Sequence, residues 1–99
     1  MRVTFSREAE EDLAEVAAFI AEDSPRQADA FVLRLSAVCL ALAEAPQRFQ
    51  VVLIKDDIEI RRATHGRYSI FYTVRLEEVY VLHILHGARD YARILFPGG

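Results

Sequence analysis

Ninety-nine residues, 53% of them hydrophobic, supply one core and leave no material for a second, so a single domain over residues 1–99 is expected. The longest apolar runs fall far short of the roughly 20 residues that a membrane-spanning helix needs, and no basic-then-apolar signal opens the chain, which points to a soluble, cytoplasmic protein. A formal net charge of −3 argues against direct nucleic-acid binding, and the lone Cys39 excludes an internal disulfide.

Arg2-Val3-Thr4-Phe5 alternates polar and apolar residues as a short half-buried strand does, and Ser6 offers a side-chain oxygen to start a helix. Glu8, Glu10, Glu11 and Asp12 crowd the first turns, where the helix dipole favours negative charge, while Ala9, Leu13, Val16, Ala17 and Ile20 recur at helical spacing. Ser24-Pro25-Arg26-Gln27 has the form of a capping box with proline at the first helical position. The stripe Ala28, Phe31, Leu35, Val38 and Leu42 then predicts a second helix, which includes Cys39 as a small buried hydrophobe and stops before Pro46. So short a link between the helices predicts an antiparallel hairpin.

From Gln47 to Asp57 the pattern allows two readings, because Val51 to Ile54 suits either a strand or an apolar anchor for a connection. Past Asp57 the period becomes two. Ile58 to Ala63 and Tyr68 to Val74 form a hairpin about His65-Gly66, Leu76-Glu77-Glu78 turns the chain, and Val79 to His86 is apolar on both alternating sets, as in a covered central strand. The segment after Gly87 is expected to form a short helix or strand. The order is therefore strand, two helices and a three-stranded antiparallel meander (β-α-α-β-β-β), an α+β domain with the helices on one face of the sheet.

Charge divides along this order. Through Glu59 twelve acidic residues oppose six basic ones, whereas from Ile60 onward Arg61, Arg62, Arg67, Arg75, Arg89 and Arg93 oppose only Glu77, Glu78 and Asp90. An acidic partner surface would meet the C-terminal half.

Four stretches together carry a family resemblance: Ala9 to Val16; Pro25 to Ala28 with Phe31; Arg61-Arg62-Ala63 ahead of Gly66 to Val74; and His83-Ile84-Leu85-His86-Gly87-Ala88-Arg89-Asp90. Over nearly its whole length the chain resembles the ParE/RelE toxin superfamily of type II toxin–antitoxin systems. The resemblance implies a small toxin neutralised by a cognate antitoxin, with higher-order toxin–antitoxin assembly. In that superfamily the RelE-like branch cleaves messenger RNA on the ribosome and the ParE-like, plasmid-stabilisation branch poisons DNA gyrase. The chain leans toward the second, because RelE-like nucleases carry a basic cluster with several lysines on the sheet, whereas this chain has one lysine, Lys55, in an acidic loop. No catalytic residue is expected on that reading.

The endoribonuclease alternative needs a base, a cation and an acid around one phosphate, for which Arg61, His86, Arg89 and Tyr91 are the candidates. Strict alternation points His83 and His86 to opposite faces of a strand, so neither a shared metal nor a shared catalytic role is expected of them. Hydrogen-bonded structural histidines are the simpler reading. Gly66 and Gly87 read as turn residues and open no phosphate-cradling loop, and no cofactor is predicted. Tyr68, Phe71, Tyr72 and Tyr80 are assigned to packing, since period two keeps Phe71 off the face of Tyr68 and Tyr72. For partner binding the candidates are Arg61, Arg62, Arg67, Arg89 and Arg93, whose guanidinium forks match carboxylates, together with Phe19 and Leu40, which stand off their helices' main stripes beside an expected groove between hairpin and sheet.

Overall fold

The computed structural model describes residues 1–87 and 90–98. Its elements are β1 (Arg2–Phe5), α1 (Arg7–Ala21), α2 (Pro25–Ala41), β2 (Val51–Lys55), β3 (Ile58–His65), β4 (Tyr68–Arg75), β5 (Glu78–His86) and α3 (Tyr91–Leu95). The strands form one sheet in the order β1-β5-β4-β3-β2. β1 runs parallel to β5, and the other neighbouring pairs are antiparallel.

The expected α+β arrangement holds, and the open segment after Gln47 is a strand, so the meander has four strands. β2 pairs with β3 from Val51 opposite Arg61 to Lys55 opposite Ile58. Asp56 and Asp57 both take positive φ, 52° and 65°, which is the backbone of a tight two-residue hairpin turn. Aspartate tolerates that conformation without glycine, so the turn leaves little trace in the sequence. The helical hairpin carries the chain from β1 at one edge of the sheet to β2 at the other, and the meander then brings β5 back beside and parallel to β1.

Both helices start on the expected caps. The Ser24 hydroxyl accepts from the Gln27 N–H at 3.2 Å, with Pro25 as the first helical residue. The Ser6 hydroxyl accepts from the Ala9 N–H at 2.9 Å and donates to the Leu82 carbonyl at 2.7 Å, so one buried side chain starts α1 and fastens it to β5.

The core lies between the hairpin and one face of the sheet. Phe31, Leu35, Cys39 and Leu42 meet Ala63, Ile70, Tyr72, Val79, Val81 and Ile84, with Ala9 packed into the same cluster. Burial pushes the Cys39 thiol up to about 12, which keeps it protonated and inert as a small hydrophobe. Tyr72 is fully buried yet donates from its hydroxyl to the Pro46 carbonyl at 2.6 Å, anchoring the connection after α2. On the opposite face Tyr91 of α3 stacks on Phe71, ring centroids 5.0 Å apart, so the chain's own tail covers part of that side.

Removing a cap that also bridges two elements should cost more than removing one that only caps. Ser6→Ala is expected to lower unfolding free energy by about 2 kcal/mol, and Ser24→Ala, at an exposed site, by about 1 kcal/mol or less. Urea unfolding of the two variants checks the order.

Candidate partner-binding site

The cleft between α1 and β5 exists because β1 is short. Register pairing of β1 with β5 ends at Phe5 opposite Val81. The next groups along that edge of β5 are taken up by α1 and its cap: the Ser6 N–H donates to the Val81 carbonyl at 2.9 Å, Ser6 Oγ to the Leu82 carbonyl, and the Ile84 N–H donates to Asp12 Oδ2 at 2.9 Å. Asp12 Oδ2 also lies 2.8 Å from His83 Nδ1. From there to His86, β5 has β4 as its only neighbouring strand among the described residues.

Beside this open edge lies a cleft of about 690 Å³. Val16, Tyr68, Ile84 and Leu85 contribute apolar surface, Glu15 and Glu22 contribute acidic groups, and Phe19 lies along it with 71% of its surface exposed. A large aromatic left this open at a cleft is the kind of surface that a partner covers. His86 lines the same cleft, its ring 5.2 Å from that of Tyr68, which in turn meets Phe31 of α2 edge-on at 5.1 Å.

Leu40 is not part of this cleft. It stands on α2, 59% exposed, and the antiparallel hairpin separates it from Phe19 by roughly 18 Å along the helix axes at 1.5 Å per residue. Periodicity identified both as off-stripe residues, but only the fold shows that they lie on different surfaces.

The candidate arginines divide by what they hold. Arg61 is largely buried: its Nη1 donates to the carbonyls of Gln47 and Phe49, and its Nη2 lies 3.7 Å from Glu59, so the side chain clamps the connection into β2. Arg62 donates from Nε to Ser69 Oγ at 3.0 Å, and Ser69 donates onward to the Gly87 carbonyl at 2.8 Å. That chain joins the end of β5 to the β3–β4 hairpin, where the Gly87 N–H also donates to the Arg67 carbonyl at 2.7 Å. Gly87 takes φ +74° to make this return, a conformation that a side chain would strain. Arg67 is exposed in the two-residue turn before β4, Arg93 is exposed on α3, and Arg89 lies outside the described residues. Lys55 ends β2 with its ammonium 5.0 Å over the Phe96 ring.

The endoribonuclease set is dispersed. His86 packs on Tyr68 on the helix-bearing side, Tyr91 stacks on Phe71 on the other side, and Arg61 faces the loop after α2. A β-bulge between Phe71 and Tyr72 of β4 shifts the register of β5 between Val81 and His83. Beyond it the pairing is regular, from His83 opposite Phe71 to His86 opposite Tyr68, and the two histidines have different partners, Asp12 for His83 and Tyr68 for His86. The role of Asp12 was not legible in the sequence, where it appeared only as one acid of a first-turn cluster.

A profile of the ParE toxin of type II toxin–antitoxin systems, parDE, matches residues 3–91. The chain belongs to the ParE toxin family. No curated protein sequence matches it. Among solved structures this ParE-family chain is similar to the chromosomal ParDE toxin–antitoxin system from P. aeruginosa, at a TM-score of 0.71 and 17% identity over 89% of this chain and 97% of that one. The likeness at that identity is one of fold.

Because Arg61 holds two carbonyls from a largely buried position, Arg61→Ala is expected to destabilise the domain by about 1–3 kcal/mol. Arg67→Ala and Arg93→Ala should stay within about 0.5 kcal/mol. Denaturant titration of the three variants separates the clamp from the exposed guanidiniums.

Proposed function

We propose that this ParE-family toxin arrests growth by binding DNA gyrase, without chemistry of its own, and is neutralised by a cognate antitoxin that docks in the α1–β5 cleft. Family membership supports the first part, and the exposed Phe19 beside an open strand edge is the observation that carries the second. An extended or helical antitoxin segment would insert apolar residues against Phe19, Val16 and Leu85, with basic residues toward Glu15 and Glu22. Acidic residues of the same partner, or of gyrase, would meet Arg67, Arg93 and Arg89, whose forks suit carboxylates. Arg61 and Arg62 contribute by holding the loops around them. The dispersal of Arg61, His86 and Tyr91 gives the endoribonuclease alternative no support.

Purified chain titrated against gyrase is expected to depress supercoiling and raise gyrase-dependent DNA breakage. Both activities unchanged far above the enzyme concentration would sink the gyrase reading. For the cleft, Phe19→Glu is expected to weaken antitoxin capture by roughly 30-fold, the scale of one interface anchor. Undiminished pulldown by that variant refutes the placement.

A further inference from the structure

The two-residue turn between β4 and β5 carries a side chain that the fold does not call for. The other described residues at positive φ are Asp56, Asp57, Asp90, Gly66, Gly87 and Gly98, all of them aspartates or glycines, which enter the left-handed region at little steric cost. Leu76, at φ 52°, is the exception, and its β-carbon is crowded there against the following carbonyl oxygen. The fold gains no packing in exchange, because Leu76 is 97% exposed and stands outside the core. Strain of this kind collects where a surface is used for recognition.

Beside Leu76 an arginine is held in one place. The Arg75 guanidinium lies 3.7 Å over the Tyr80 ring, its Nε donates to Glu78 Oε2 at 2.9 Å, and Glu78 Oε1 accepts from Thr4 Oγ1 at 3.0 Å. The Arg75 side chain nevertheless stays 54% exposed. A guanidinium fixed in this way loses little freedom when it meets a carboxylate. Glu77, the other turn residue, shares a hollow with Met1 and Arg2, which balances its charge locally.

We infer that this turn is the surface by which the toxin grips its target, Leu76 entering an apolar pocket whose rim presents a carboxylate to Arg75. The inference rests on the reading of the chain as a toxin that acts by binding, and it names the surface used. Position and charge assign the turn to the target and not to the antitoxin. Turn and cleft stand at opposite ends of β5, roughly 26 Å apart at about 3.3 Å per residue. The cleft offers Glu15 and Glu22 to a basic segment, whereas the turn offers a fixed guanidinium to an acidic one. A two-fold contact between copies would set one convex tip and its arginine against another, so a second copy does not fit.

Leu76→Asn tests the inference, because asparagine accepts the backbone of the turn and removes the apolar side chain. Its melting temperature is expected to match or exceed that of the native chain, and its capture by the antitoxin is expected to be unchanged. The concentration that halves gyrase supercoiling should rise roughly 30-fold, the scale of one interface anchor, and roughly tenfold in Arg75→Glu. Growth arrest on induction reads the same losses whatever the target is. A native chain that arrests growth and leaves gyrase untouched therefore sinks the gyrase reading alone, and growth then decides Leu76. Leu76→Asn arresting growth as strongly as the native chain overturns the inference. So does a melting temperature lowered by several degrees, which gives the leucine to the fold, or a loss of antitoxin capture, which gives it to the antitoxin. A native chain that arrests no growth leaves the turn without a target and overturns it as well, and full potency in Arg75→Glu overturns the carboxylate at the pocket rim.

Discussion

The two hydrogen bonds of the Ser6 hydroxyl, together with the two contacts of the Asp12 carboxylate, decide how this domain is put together. β1 is only four residues long and stops while β5 continues, leaving backbone groups along the edge of β5 without a strand partner. Buried or half-buried backbone groups must be satisfied, and here the start of α1 satisfies them. Ser6 serves the helix cap and the Leu82 carbonyl at once, and Asp12 reaches the Ile84 N–H and the His83 ring from the second turn. The helix is thereby aimed along β5, its apolar stripe turned toward the core.

The same constraint creates the cleft. Had β1 continued, the edge of β5 would be covered and Phe19 would have no cleft to border. Instead the edge beyond Ile84 lies beside apolar side chains and two acids of α1, a combination suited to a chain segment that adds backbone hydrogen bonds and side-chain anchors together.

At the other end of the sheet the arginines show how little a count of charges says about availability. Arg61 is spent on carbonyls of the connection before β2, and Arg62 on Ser69 of the neighbouring strand. Arg67 and Arg93 remain at the surface. On the far side, Tyr91 on Phe71 and Lys55 over Phe96 tie the last helix to the sheet, so that face is partly closed by the chain itself.

The sequence by itself determined the elements and their caps, since these depend on local geometry: Ser6 and Ser24 before apolar stripes of helical period, and period-two runs between short turns. The α+β class and the family resemblance followed from that order. Val51 to Lys55 stayed open because the Asp56-Asp57 turn borrows a backbone conformation that sequence associates with glycine or asparagine. The site was legible only in part. Phe19 and Leu40 stood out as off-stripe, yet their assignment to two separate surfaces required the antiparallel hairpin, and the partners of Arg61, Asp12 and His83 lie between 12 and 72 residues away along the chain. Only the tertiary structure decided these, because a bulge that shifts β5 by one residue, and a strand that ends early, are set by how distant segments satisfy one another's hydrogen bonds rather than by the pattern within either segment.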